Sequence, residues 1–297
     1  MTKPHFIAYL LYATTKIIGS LPFELLRALG KIVGFVSYHV NNRETQVARR
    51  NMQLIYPQDS AEACERRVQE ILSSTGQTAL ETMAAWSRPR TKALKLIRNI
   101  HGLEHFQRAY EQGKGVIIAA PHYGNWELLI HYVANLAPLS LVYGVPKKKY
   151  FDDYLAMARD GENLLMVPGE ASAMRPLLRA LHKGELVGIT PDQQPKIGGG
   201  EFAPFFGHSA LTLTLIAKLA HRSGAPVIFT YSERSGSGYD VFFDSPDSLI
   251  AHENIDVALD AMNKHVQAIA ERDFRQYQWT YKRFSIRPNP NDKKIYS

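Results

Sequence analysis

One cysteine in 297 residues, Cys64, makes an intrachain disulfide and a thiolate metal cage impossible. That scarcity fits a reducing compartment, and Cys64 itself sits in the charged helical run SAEACERRVQE as an ordinary helix residue. There is no G-x-S-x-G elbow, no G-x-x-x-x-G-K-[ST] loop and no H-E-x-x-H pair. Their absence argues against a serine-elbow hydrolase, a P-loop NTPase and a zincin. His101, His105 and His131 lack a coherent ligand spacing, so they are expected at the surface or packed, with no metal and no cofactor. The glycine cluster IGGGEF is isolated and reads as a mobile loop, not a phosphate cradle. Internal repeats and low-complexity tracts are missing. So is an unbroken apolar run of spanning length: Lys16, Pro22 and Glu24 interrupt the N-terminal segment, and Phe6 to Leu21 falls short of the about 20 residues a span needs. No small-residue cleavage site marks it as a secretory signal.

What is present starts with a 45% hydrophobic content, enough for a sizeable core and too much for a disordered chain. A net charge of +7 points to an acidic partner, and nucleic acid, anionic lipid or an acidic carrier protein all qualify. Aromatic residues are not interleaved with the basic clusters as nucleic-acid stacking platforms require. The apolar start, PHFIAYLLYATTKIIGSLPFELLRALGKIVGFVSYHV, reads as a helical segment lying in or dipping into one leaflet. Lys16 and Arg27 would then snorkel to phosphates. A core helix or a single span are the alternatives.

Two units are expected along the chain: a membrane-associating helical segment over residues 1–40 and a single catalytic domain over 41–297. The second is helical to about residue 100 and α/β beyond. NNRETQVARRNMQLIYPQ has helical period and closes at Pro57; the next helix starts at Ser60, a suitable N-cap. From about Gly113, the β-rich runs GVIIAA, LSLVYGV, NLLMVPG and LVGIT alternate with helical stretches, which predicts a mostly parallel, helix-covered sheet. ALTLTLIAKLAHRSG reads as one helix with a glycine stop. APVIFTYSE and YDVFFDS read as antiparallel neighbours, and NIDVALDAMNKHVQAIAERDF as the final long helix.

APHYGNWELLI, Ala120 to Ile130, leaves the first buried strand and at once presents a histidine, an asparagine and a carboxylate. In open α/β sheets, ligands bind beyond the carboxyl ends of strands, which puts His122 in the crevice-forming loop. Asn125 suits an N-cap and Glu127 the first helical turn. With His122 on the loop and Glu127 on that turn, the chain can fold back to join carboxylate to imidazole, fixing the tautomer and leaving the other nitrogen as a base. A capping Glu127 beside a turn-filling His122 satisfies the same spacing. Asp192, after the strand LVGIT, also opens at a carboxyl end; with Gln193 it shapes the crevice or stabilises a turn. Lys147, Lys148 and Lys149 could grip an acidic protein surface or a phosphate, and Arg43, Arg49 and Arg50 could face anionic headgroups.

PHYGNWE, then PDQQP, a glycine-rich loop, APFFG, an apolar helix, GAPVIF and the ending YQWTYKRF come in an order that resembles the late lipid A acyltransferases of Gram-negative bacteria. The resemblance covers most of the chain, up to Phe284, within the wider H-x-x-x-x-D/E acyltransferase group. It implies a three-layer acyltransferase fold on the cytoplasmic face of the inner membrane. The implied reaction moves an acyl chain from acyl carrier protein to a hydroxyl on a hydroxyacyl chain of a lipid A precursor. His122 would be the general base and Glu127 its orienting partner. Asn125 or backbone amides near it would serve as oxyanion donors, Arg159 as the family's substrate-contacting arginine, and Phe205 to Gly207 as packing or acyl-channel lining. An acyltransferase for another hydroxylated acceptor, such as a glycolipid mannoside or glycerol phosphate, is the alternative, and a basic non-catalytic membrane-binding module a more distant one.

Overall fold

Helices fill the chain to Ala93 in the structure, a computed structural model that describes residues 5–296. Helices α1 (Phe6–Gly19) and α2 (Phe23–His39) are broken at Ser20–Pro22, where proline removes a backbone donor, and meet at 114°. Helix α3 (Arg43–Ile55) and the long α4 (Ala61–Ser87) begin at true N-caps: Asn42 Oδ1 accepts from the Thr45 amide at 3.0 Å and Ser60 Oγ from the Ala63 amide at 3.1 Å. Helix α4 is the spine against which α1, α2 and α3 pack. Its crossing with α2 is backbone-close. A β-carbon on Gly76 would lie 2.1 Å from the Gly30 carbonyl oxygen, and one on Gly30 2.4 Å from Gln77 Cα. Larger residues there would push the helices apart.

Among the described residues no single helix is long and apolar enough to cross a membrane. Phe6, Leu10, Ile17, Ile32, Phe35, Val36 and Val40 of the α1–α2 hairpin and its C-cap are nevertheless exposed. Lys16 stays at the surface beside the Tyr12 ring, whereas Arg27 does not snorkel. It is 8% exposed and turned inward, its Nε 2.6 Å from Glu81 Oε1 on α4. Arg234 bonds the other oxygen of Glu81 at 2.8 Å, and the Tyr239 hydroxyl joins them. A fully buried carboxylate keeps its charge only with such partners.

After a short helix α5 (Arg90–Ala93) the sheet begins with β1 (Ile97–His101), followed by α6 (Leu103–Tyr110), β2 (Val116–Ala119), α7 (Trp126–Leu136), β3 (Leu139–Tyr143), α8 (Lys149–Ala158) and β4 (Leu164–Pro168). Then come α9 (Met174–His182), β5 (Leu186–Ile189), β6 (Gly200–Phe205), β7 (His208–Leu213), α10 (Leu215–Ser223), β8 (Val227–Ser235), β9 (Gly238–Phe243) and α11 (Ile255–Arg272). Seven strands form one sheet in the order β1-β9-β8-β2-β5-β3-β4. Every neighbouring pair is parallel except the hairpin β8–β9. Apolar clusters line both faces, as a helix-covered parallel sheet requires.

Two further segments differ from what the sequence predicts. ALTLTLIAKLAHRSG is not one helix: its first residues belong to β7, and α10 starts only at Leu215. The alternation ALTLT carries period 2 before the helical period takes over. IGGGEF is likewise not only a loop, because Gly200 opens β6, which pairs antiparallel with β7 in a separate two-stranded sheet. Phe205 of that hairpin is packed in the core.

Candidate active site

Strands β2 and β5 are adjacent and parallel, with Ala119 opposite Ile189. Each ends there, and each is followed by one residue, a proline and a polar side chain: Ala120-Pro121-His122 and Thr190-Pro191-Asp192. Equal offsets from paired strand ends deliver His122 and Asp192 side by side above the sheet. Asp192 Oδ1 takes the His122 Nδ1 hydrogen at 2.9 Å, and Oδ2 takes the His122 backbone amide, also at 2.9 Å. The second bond fixes the acid relative to the histidine's own backbone, so the ring is oriented from two sides. Asp192 is 3% exposed. Burial opposes its ionisation, but the imidazole and these hydrogen bonds outweigh burial and hold its carboxyl below the usual range. With Nδ1 protonated toward Asp192, Nε2 carries the ring's lone pair and lies 3.2 Å from the Gln193 side-chain amide.

The backbone after His122 is set by Gly124, at φ +55°, where a β-carbon would lie 1.6 Å from the Ser232 carbonyl oxygen. Tyr123 forms a bridge with Tyr277 and Gly124 one with Ser232, clamping the motif to the C-terminal segment and to β8. Asn125 Oδ1 then caps α7 through the Leu128 amide at 3.0 Å. The residue is fully buried: Oδ1 starts the helix, while Nδ2, the one atom of this side chain that could donate to an oxyanion, has no hydrogen-bond partner among the described residues.

Glu127 does not take the imidazole. Its Oε1 accepts from Arg159 Nη2 at 2.5 Å, and its Oε2 from Arg159 Nε and Trp86 Nε1, both at 2.9 Å. The direct His122–Glu127 contact that the spacing allowed is replaced by two pairs, His122–Asp192 and Glu127–Arg159. The reason is helical geometry: α7 turns Glu127 toward α4 and the end of α8, while the ring stays over β5. Burial pushes the Glu127 carboxyl up, and the Arg159 charge and hydrogen bonds more than reverse it, so its pKa is lowered; that of Arg159 is raised in return. One turn on, His131 is buried with neither ring nitrogen bonded among the described residues, and burial lowers its pKa, keeping it neutral.

Trp126 packs edge-on against the His122 ring, with centroids 5.0 Å apart. Beyond it a largely apolar groove of about 310 Å³ runs between α4 and the C-terminal segment, lined by Thr78, Ala79, Met83, Trp86, Trp126 and Tyr277. It abuts a polar cavity of about 470 Å³ that includes Lys31, Glu70, Arg234 and Asp273; Ser74, Arg275 and Gln276 line both.

An imidazole–carboxylate pair past the ends of two parallel strands, with Trp126 between it and an apolar groove, accords with the acyltransferase resemblance, and comparison with known proteins decides the family. The model of the bacterial lipid A biosynthesis acyltransferases matches residues 2–285. The chain belongs to that family. The lipid A biosynthesis palmitoleoyltransferase of Escherichia coli (strain K12) is 30% identical over 271 residues, 90% of this chain and 87% of that protein. The lauroyltransferase of the same organism is 26% identical over 275 residues, covering 92% and 89%. A lipid A biosynthesis acyltransferase of Haemophilus influenzae is 26% identical over 308 residues, covering 99% and 97%. This family member is therefore an acyltransferase, and the alternative of a non-catalytic basic module falls away.

In this lipid A acyltransferase-family fold, Lys147, Lys148 and Lys149 are exposed at the start of α8, with Lys149 paired to Asp153 at 3.0 Å. The other basic groups are mostly occupied. Arg49 holds Glu65, Arg50 the Ile295 carbonyl, and Arg283 is buried against Leu211 and Thr212. Sequence reasoning placed Asp192 in the crevice but not on the imidazole. The matching strand–x–Pro–polar endings were a visible signal, and only the adjacency of β2 and β5 gives it meaning.

Proposed function

We propose that the protein transfers a fatty acyl chain from acyl carrier protein to a hydroxyl of a hydroxyacyl chain on a lipid A precursor, with His122 as general base. The observation that carries this reading is the His122–Asp192 pair at the crevice beside an apolar groove. An alcohol does not ionise near neutrality, so its proton must leave as it attacks. In the reading adopted here, His122 Nε2 takes the acceptor's hydroxyl proton while the oxygen bonds to the thioester carbonyl carbon. The carbonyl oxygen becomes an oxyanion. Its collapse breaks the carbon–sulfur bond, and the departing thiolate recovers the proton from Nε2. Asp192 holds the tautomer and balances the transient imidazolium, an effect worth roughly 10²–10⁴-fold together with the base itself.

Glu127 acts through Arg159 in this scheme, not on the ring. The pair holds a guanidinium behind Trp86, a wall of the groove, and in this scheme that guanidinium meets the oxyanion or an acceptor phosphate. The groove walls suit hydrocarbon, and the adjoining polar cavity suits a sugar headgroup. Residues 1–40 supply the membrane contact: the exposed apolar side chains of α1 and α2 would enter one leaflet on the cytoplasmic face of the inner membrane. The rest of the chain, 41–297, is the catalytic body, and Lys147, Lys148 and Lys149 are the docking point for the acidic carrier protein.

Purified protein given acyl carrier proteins of several chain lengths and a tetra-acylated or further acylated glucosamine disaccharide should yield a product heavier by one acyl chain. No such product by mass spectrometry, at any chain length, defeats the reading. His122→Ala should lower kcat by on the order of 10³-fold with the thermal midpoint little changed; near-normal turnover would remove His122 as the base.

A further inference from the structure

The nitrogen that must take the acceptor's proton is occupied in this structure. Gln193 Nε2 lies 3.2 Å from His122 Nε2 and 2.9 Å from Gln278 Oε1. The direction of these bonds follows from what each atom can do. The Gln278 carbonyl oxygen can only accept, so the Gln193 amide donates one hydrogen to it. His122 Nδ1 has donated its hydrogen to Asp192, so Nε2 carries a lone pair and accepts the second. Gln278 is itself anchored, its backbone amide donating to the His122 carbonyl at 3.1 Å. Asp192, His122, Gln193 and Gln278 thus form one polarised chain with the base capped in its middle.

We propose that Gln193, held by Gln278, is a latch that shields Nε2 from water until an acceptor hydroxyl displaces it, making these two residues determinants of alcohol over water as the nucleophile. The inference rests on the function proposed above. Water is the abundant competitor. Should it reach Nε2 beside a bound thioester, it would lose a proton there, bond its oxygen to the carbonyl carbon and expel the thiolate, giving free fatty acid. To do so it must replace a hydrogen bond that is already made and anchored at the other end. A lipid acceptor seated in the groove lined by Trp126 and Gln278 brings binding energy that water lacks, and that energy can turn Gln193 aside. Both glutamines are only partly buried, so they have room to move. Asp192 and Gln193 are consecutive, so the residue that orients the base and the one that guards it leave β5 together.

The test compares wild type with Gln193→Met, which fills the same space without a donor, and with Gln278→Ala, which removes the latch's anchor. Hydrolysis of acyl carrier protein thioester without acceptor should rise about three- to tenfold in both variants, the factor one net hydrogen bond supplies. The ratio of acyl transfer to hydrolysis should fall by at least as much. Carbethoxylation by diethyl pyrocarbonate, followed on the His122 peptide by mass spectrometry, should speed up by a similar factor, because the reagent attacks the uncapped nitrogen. Unchanged labelling of His122 in both folded variants overturns the latch, whatever their turnover. If wild type transfers no acyl chain while His122 labelling still rises in the variants, the latch stands and the acceptor assignment is what fails.

Discussion

Glu81 and Glu127 are both buried glutamates on helices, and both hold arginine, yet their surroundings differ. Glu81 is enclosed on every side: Arg27 reaches it from α2, Arg234 from β8 and Tyr239 from β9. It joins the apolar hairpin to the sheet and touches nothing that a substrate could reach except through Arg234. Glu127 has one arginine and one tryptophan, and that tryptophan lines the apolar groove. The same chemistry encloses the carboxylate on all sides in one place and sets it against a groove wall in the other. Two cations surround the Glu81 carboxylate, with Glu24 also 4.0 Å from the Arg27 guanidinium, whereas a single cation pairs with Glu127. Asp192 is the third buried acid, and its partner is an imidazole where the other two hold guanidinium groups.

The contrast breaks most directly at Glu81. Glu81→Ala should cost about 3–5 kcal/mol, because it strands two arginines in the interior. The thermal midpoint should fall by about 10 °C, while kcat of the protein that stays folded, measured well below that midpoint, should change little. An intact midpoint would mean that the cluster fastens nothing. Asp192→Asn should tilt the other way: kcat lower by on the order of 10²-fold from the lost imidazolium partner, with a smaller fall in the thermal midpoint than Glu81→Ala. Should the two variants show the same balance of activity and stability losses, the division between fastening and chemistry fails.

Acid provides a smaller, collective test. The carboxyls of Glu81, Glu127 and Asp192 are all held below their ordinary values in the folded protein. A depressed folded pKa contributes stability that is present above the unfolded value and lost as pH falls through the folded one. Denaturant midpoints should therefore be insensitive to these groups between pH 6 and 8 and decline below about pH 4. Glu81→Ala should show a shallower decline. The smallest effect is expected from Trp86→Phe, which removes one bond to Glu127 and keeps the groove wall. It should cost about 1 kcal/mol in urea unfolding; a loss as large as that of Glu81→Ala would show Glu127 to be a fastener as well.

Much of the fold was legible because its signals are local. Ser60 and Asn125 cap the helices they were expected to cap. The apolar runs after Gly113 are strands, and the β8–β9 hairpin is antiparallel. Strand β1 was not legible, since Ile97–His101 is an edge strand with four of its five residues exposed and carries no apolar run. The β6–β7 hairpin was hidden because the glycines of IGGGEF read as loop and ALTLT read as the start of a helix. Arg27 was expected at a membrane surface because its neighbours are apolar; its destination depended on a glutamate 54 positions away.

By itself the sequence determined where β2 and β5 end, and so that His122 and Asp192 each stand just past a strand. It also fixed a helical start that leaves Glu127 within one turn of its cap. Only the tertiary structure decided that β5 lies beside β2, and with that which acid faces the imidazole and which is left to Arg159. Capping and periodicity act over a few residues along the chain, whereas the lateral order of parallel strands joined by helices is set by how all the layers pack at once.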